Sequence, residues 1–318
     1  MSDERIFVSV ASYCDPLLGF TLDSALSQAR HPQRLRFGVV DQSPPEAGWA
    51  LPAQAQAHQV RRVHLHPRDA RGPCFARALA MGLHQGEPWY LQVDSHTCFE
   101  PGWDERLLHW GHHCRALNPR SILSCYPNPF NIVDGQPVPT VVTREVLAHV
   151  VRMDSDFVAD HPVLMFEGVP VSSREPVPAF HVAAGCLFAP GGLVNEVPYD
   201  PFLYFHGEEQ SLALRAWTRG WDLFHVPDMP LLHQYVQVDA LPRPMHWQSE
   251  LDEQRAVRSA ELDGAAQQRL RALLWDGADL GAYGLGRQRS LQDYAAFSGI
   301  DYAARQIEQR ARKARFGY

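Results

Sequence analysis

The 318 residues are 45% hydrophobic and 20% charged, a balance that excludes a disordered chain and supplies a core without disulfide or metal staples. A formal charge of −7 argues against broad binding to nucleic acid or anionic membranes. Of the 29 basic residues only Lys313 is a lysine, which excludes Schiff-base, P-loop and kinase-type lysine chemistry inside the fold.

The chain order reads as strand and helix in alternation. Residues 5–11 form an apolar run of strand length, 17–30 a helix after Pro16, and Leu35–Gln42 a second strand. After a Pro- and Gln-rich loop, 60–65 read as a third strand, 74–84 as a helix opened by Gly72-Pro73, and Trp89–Asp94 as a fourth strand running straight into a polar loop. Short apolar strands separated by helices predict a parallel sheet covered on both faces, with ligands beyond the carboxyl ends of the strands. Farther on, Trp103–Leu117 predict a helix, 121–125 a strand, 128–178 an irregular β insertion, 180–188 a strand, 207–219 a helix and 221–226 a strand. The composition then shifts to Gln, Arg, Glu and Ala, so the chain divides into a catalytic domain over 1–240 and a mainly helical extension over 241–318 packed on it. The six cysteines lack Cys-x-x-Cys or zinc-finger spacing and read as buried thiols. Without a signal-peptide pattern or a bilayer-length apolar stretch, the expected location is cytoplasmic, with no membrane or nucleic-acid partner.

The most informative segment is Asp94-Ser95-His96 at the end of an apolar strand. Residues i and i+2 of an extended backbone project to one side, so carboxylate and imidazole can share one ion. An oxygen and nitrogen pair suits a divalent metal of intermediate hardness such as Mn²⁺. The plainer alternative is that Asp94 caps a turn and His96 is a surface histidine. Glu208 and Glu209 open a helix that Gly220 ends, a placement the helix dipole alone would favour. His233 would complete a two-histidine, one-carboxylate site. Glu105, His109, His112, His113 and Cys114 share helical spacing but read as a solvated or half-buried helix face, and the small basic clusters Arg61-Arg62 and Arg310, Arg312, Lys313 and Arg315 read as solvated faces.

Taken together, Ile6 through Ser12-Tyr13-Cys14-Asp15-Pro16, Leu35-Arg-Phe-Gly-Val, Gln92-Val-Asp94-Ser95-His96, Gly207-Glu208-Glu209 through Trp217-Thr-Arg-Gly220, and Gly286 through Arg289-Ser290, Tyr294 and Ile300 resemble the Skp1 hydroxyproline N-acetylglucosaminyltransferase family. The Asp-Ser-His and Gly-Glu-Glu segments are also similar to those of the polypeptide N-acetylgalactosaminyltransferases. The resemblance spans about residues 6 to 302. It implies an α/β GT-A fold, Rossmann-like, with a mostly parallel central sheet, helices on both faces and a C-terminal helical segment. It further implies a UDP-sugar donor, N-acetylglucosamine in the first place, a Mn²⁺ or Mg²⁺ cofactor, and transfer with retention to a hydroxyl of hydroxyproline or of another protein, peptide or small molecule. By the same carry-over Asp94, His96 and His233 bind the metal, and Ser12, Tyr13 and Asp15 lie near the nucleoside. Arg71, Arg77, Asp94 and Ser95 meet the donor, and Glu208 or Glu209 faces the sugar or the acceptor hydroxyl. The chain departs from the family's Ser-Tyr-Arg-Asp at Cys14.

Two other readings use the same residues. A non-haem Fe(II) oxygenase also employs two histidines and a carboxylate, although its usual home is an all-β jelly roll rather than a βαβ chain. A non-catalytic nucleotide-sugar binding protein would keep the fold and transfer nothing. Without lysines, the charge of a diphosphate must be offset by the metal and by arginines such as Arg71 or Arg77.

Overall fold

The computed structural model describes residues 3–235 and 243–313. Its frame is an eight-stranded sheet built from β1 (Ile6–Tyr13), β2 (Leu35–Gln42), β3 (Val60–His64), β4 (Trp89–Asp94), β6 (Ser121–Ser124), β11 (Val177–Ala179), β12 (Cys186–Pro190) and β13 (Asp222–His225). The spatial order is β3-β2-β1-β4-β12-β6-β13-β11. The β1–β2, β1–β4, β2–β3 and β6–β13 pairs are parallel, whereas β12 runs against both its neighbours and β11 against β13. Strand β1 is buried on both faces from Ile6 to Val10, as expected for a central parallel strand with no polar alternation. Burying each such Val, Ile or Phe contributes roughly 1.5–3 kcal/mol.

The helices α1 (Leu18–Gln28), α2 (Pro73–Met81), α3 (Trp103–Leu117) and α5 (Glu208–Thr218) join these strands, with the short α4 (Leu193–Glu196) between β12 and α5. Two apolar clusters pack against the sheet: one holds Leu22, Leu26, Trp103 and Leu107, the other Met81, Leu212, Ala216 and Trp217. A smaller four-stranded sheet, in the order β5 (Thr97–Phe99), β14 (Leu231–His233), β7 (Asn128–Val133) and β8 (Gln136–Pro139), sits at the carboxyl edge of β4. The insertion also contains the β9 (Val146–Val151) and β10 (Phe166–Val171) hairpin.

Two sequence expectations change. The strand read at 180–188 begins only at Cys186, because Ala184 and Gly185 form a turn that the bridge from Ala183 to Cys186 closes. The irregular stretch from His181 to Gly185 brings His181, Ala184 and Gly185 to the second cavity described below. Asp94-Ser95-His96 is not extended either: β4 ends at Asp94, and Ser95 and His96 turn the chain into β5.

After the undescribed stretch, α6 (Ser249–Asp252), α7 (Ser259–Leu274) and α8 (Leu291–Ser298) follow, with a short hairpin of β15 (Ile300–Asp301) and β16 (Gln306–Ile307). Leu270, Leu273, Leu274 and Tyr294 belong to the same apolar cluster as α5. All six cysteines are free, with Cys14 half-buried and the others buried. Along α3, His112 and His113 face Glu4 and Glu175 at the surface. Arg315 lies outside the described residues. Among the described residues no helix is long and apolar enough to cross a membrane.

Candidate active site

The turn after β4 is held from three sides. On α1, Thr21 Oγ1 donates to the Ser95 carbonyl at 2.8 Å and accepts from the Thr97 amide at 3.0 Å. Thr97 Oγ1 closes the turn onto the Asp94 carbonyl at 2.9 Å. Antiparallel pairing of His233 with Thr97, together with the Gln234 amide on the His96 carbonyl at 3.1 Å, lays β14 against the turn. The three side chains therefore converge through a turn and a strand pairing, not through strand alternation.

Asp94 Oδ2 stands 3.0 Å from His233 Nε2 and 3.8 Å from His96 Nε2. One ligand atom from each of the three lies within 4.8 Å of the others, and among the described residues no other such group of three is found. Asp94 Oδ1 accepts from Arg77 Nη2 at 2.5 Å. Burial pushes the Asp94 carboxyl up, but the Arg77 cation and the His233 bond outweigh it and hold the group well below the usual carboxylate range. Gly185 makes room for this arrangement, because a Cβ there would stand 2.5 Å from Asp94 Oδ2.

Arg77 is 6% exposed and bridges two carboxylates, its Nη1 donating to Glu208 Oε1 at 2.6 Å. Helix α2 places Cys74 one turn before Arg77, and Cys74 Sγ donates to Glu208 Oε2 at 3.1 Å beside the Tyr199 hydroxyl at 2.8 Å. Burial raises the Glu208 carboxyl above its ordinary value despite Arg77. Glu209, one residue and about 100° further around the helix, turns the other way. The Ala184 amide donates to its Oε1 at 2.7 Å, and the Tyr126 hydroxyl and His181 Nε2 lie 3.2 and 3.3 Å from Oε2. Burial pushes this carboxyl up, yet the His181 and Ala184 bonds leave it below its ordinary value. Its side chain is 29% exposed against 6% for Glu208.

Two cavities meet at Arg77 and Asp94. The first, about 300 Å³, lies beyond the carboxyl ends of β1 and β2 and is lined by Ser12, Tyr13, Asp15, Gln42, Ser95 and His96 among others. The second, about 680 Å³, opens on the α5 side against Glu208, Glu209, His181, Tyr126 and the β10 residue Phe166. Phe205 and Tyr235 border both.

Of the residues singled out from sequence, the structure brings Ser12, Tyr13, Asp15, Arg77, Asp94, Ser95, His96 and His233 to the first cavity and Glu208 and Glu209 to the second. Arg71 is exposed, its guanidinium 5.6 Å from the Phe75 ring, and lines neither cavity. Asp15 accepts from His96 Nδ1 and from Ser95 Oγ, both at 2.7 Å. Sequence reasoning missed Arg243, His246 and Trp247, which close the first cavity from beyond residue 240. It also missed Tyr126, His181 and Tyr199, the partners of the two glutamates, whose positions follow no local spacing.

The comparisons with known proteins bear on the family and the fold. Residues 5–51 and 48–304 match the family described as Glycosyltransferase (GlcNAc). Among solved structures the chain is similar to a crystal structure of GalNAc-T7 with UDP, GalNAc and Mn²⁺, with a TM-score of 0.61 and 13% identity over 92% of this chain. It spans about half the length of that protein, 54%. No curated protein sequence matches. At that identity the structural likeness speaks for the fold, the GT-A α/β fold, while the family match covers nearly the whole chain: this protein belongs to the Glycosyltransferase (GlcNAc) family.

Proposed function

We propose that the chain is a metal-dependent, retaining glycosyltransferase that moves N-acetylglucosamine from UDP-N-acetylglucosamine to a hydroxyl of a protein or peptide, with hydroxyproline as the first acceptor to try. The observation that carries this reading is the convergence of Asp94, His96 and His233 at the junction of two cavities, one for each substrate. The donor set fits a divalent ion of intermediate hardness: one carboxylate oxygen and two imidazole nitrogens, with His96 Nδ1 engaged by Asp15 so that Nε2 is free to ligate. Bound there, such an ion would supply Lewis-acid stabilisation of the departing diphosphate.

The protein's own residues do the rest. The first cavity takes the nucleotide beyond the carboxyl ends of the strands, where open α/β sheets bind ligands. Arg77 presents fixed positive charge between the cavities, a role no lysine in this chain can fill. Glu209 has an ionised, partly open carboxylate on the second cavity and orients the acceptor hydroxyl, while Glu208 holds Arg77 in place. Front-face attack, in which the departing phosphate receives the acceptor proton, needs no nucleophilic carboxylate and suits a Glu208 whose oxygens are fully engaged. An Fe(II) oxygenase reading rests on the two-histidine, one-carboxylate set alone, with the βαβ sheet and the family against it.

The test is a donor panel. With Mn²⁺ and a series of UDP-sugars, UDP release by slow hydrolysis is expected only with the preferred donor, lost with EDTA and in Asp94→Ala and His233→Ala. If no UDP-sugar is bound or hydrolysed, and EDTA changes nothing, the proposal fails.

A further inference from the structure

We infer that Asp15 is the positioning residue that sets the affinity of the site for its divalent ion, by fixing the ring and the tautomer of His96. This rests on the metal-site reading above and goes beyond it, because Asp15 otherwise counts only as a contact of the nucleoside. The residue is 8% exposed, at the junction where β1 gives way to α1. Its two oxygens have separate duties. Oδ1 accepts from the Leu17 amide at 2.9 Å, which ties the carboxylate to the start of α1. Oδ2 accepts from His96 Nδ1 and from Ser95 Oγ, both at 2.7 Å, with Arg243 Nη1 at 4.0 Å behind them.

An ionised carboxylate has only acceptors to offer, so the proton of a neutral His96 must sit on Nδ1. The lone pair is then on Nε2, the nitrogen that points toward Asp94 Oδ2. This is the carboxylate–histidine–metal arrangement by which an outer partner orients a ligand and raises its basicity. The second imidazole has no equivalent: His233 Nδ1 is buried and has no hydrogen-bond partner among the described residues. Orientation of the nitrogen ligands by a carboxylate is therefore concentrated on one side, at Asp15.

Two substitutions separate this role from a structural one. Asp15→Ala removes the acceptor, and outer-partner losses of this kind weaken metal binding about 10–100-fold. Asp15→Asn keeps shape and volume. Its oxygen is drawn to the Leu17 amide, so its NH₂ faces His96 Nδ1. That nitrogen must then accept, which places the proton on Nε2 and blocks the ligand. A residue that only stabilised the turn would tolerate Asn better than Ala, whereas an orienting residue tolerates Asn no better.

The measurement is Mn²⁺ titration of the nucleotide-free protein, followed by the electron paramagnetic resonance signal of free Mn²⁺, for the unmodified chain, Asp15→Ala, Asp15→Asn and His96→Ala, with thermal midpoints recorded in parallel. The expected result is weakening of about 10–100-fold in Asp15→Ala and at least as much in Asp15→Asn, with the Asn variant melting closer to the unmodified protein. Mn²⁺ affinity that stays unchanged in both Asp15 variants while His96→Ala loses binding overturns the inference alone. So does Asn behaving like the unmodified chain. Failure of the unmodified protein to bind Mn²⁺, or binding indifferent to His96→Ala, overturns the metal-site reading and this inference with it.

Discussion

The junction of the two cavities and the wall of the second hold their charge in opposite ways. At the junction and on the first cavity's side of it, charged groups are held by one another: Arg77 lies between Asp94 and Glu208, Asp15 on His96, and Asp94 beside His233. On the wall of the second, Glu209 is fixed by an amide, a hydroxyl and an imidazole, none of them a permanent cation, and keeps a face open. Adjacent glutamates are thus held in different ways. A group that must stay put for a diphosphate is best held by ion pairs in a water-poor setting, whereas one that must accept from an incoming hydroxyl needs spare lone pairs.

The largest effect should come from Arg77. Replacing it by Ala leaves Asp94 and Glu208 without their cation, and removing one partner of a buried pair costs about 3–5 kcal/mol. Thermal or denaturant unfolding should show that loss, and donor hydrolysis should disappear. Arg77→Lys should recover part of the stability but little hydrolysis, since one ammonium cannot fork to both carboxylates. An Arg77→Ala protein as stable as the parent would mean that the junction of the cavities is not charge-locked, and its contrast with Glu209 would collapse.

Next come the glutamates themselves. Glu209→Gln keeps the volume and loses the anion, so transfer to an acceptor should fall about 10²–10³-fold. Donor-only hydrolysis and the melting midpoint should stay near the parent's. Glu208→Gln should do the reverse: unfold earlier, and raise the KM for the donor as Arg77 loses its anchor. If both variants lose transfer alone, with stability intact, the two glutamates do not divide between holding and reacting.

How much of this was legible beforehand follows from which contacts are local. Strand β1, α1, β2 and β4 were readable because fully apolar runs of strand length and the Pro16 and Gly72-Pro73 breaks are local signals. The grouping of Asp94, His96 and His233 was legible as a motif, but for a partly mistaken reason: Asp94 and His96 converge through a turn that Thr21 and Thr97 tie down, not through alternation. The split between Glu208 and Glu209 was invisible. It depends on Cys74, Arg77 and Tyr199 on one side and Tyr126, His181 and Ala184 on the other, contacts of long sequence separation. Likewise, a boundary at residue 240 hid Arg243 and His246, because the change in composition marks a helical extension and not which part of it folds back on the cavity.

Taken one histidine at a time, the smallest effect concerns pH, and it reaches both sides. Beneath the second cavity, burial brings His225 down to about 4, and burial with the neighbouring His225 and His181 holds His149 well below its ordinary value. At the first, burial and the Arg255 cation bring His246 down to about 4. The bonding agrees: the Gly72 amide donates to His246 Nε2 at 3.2 Å, so that nitrogen carries no proton, and His225 Nε2 accepts from the His149 amide at 3.1 Å. All three have folded values depressed below the unfolded value near 6.5, so the unfolded chain binds protons first as pH falls. Their contribution to stability is therefore complete above about pH 6.5 and is lost as pH falls from there toward 4. Each such histidine adds a slope of up to about 1.4 kcal/mol per pH unit in that window. Denaturant midpoints measured from pH 7.5 to 4.5 should fall accordingly, and His246→Gln should flatten the curve by one proton's worth while leaving the steps beneath the second cavity. A His246→Gln curve parallel to the parent's would place that histidine in water when folded, and the first cavity would be wetter and less rigid than the second.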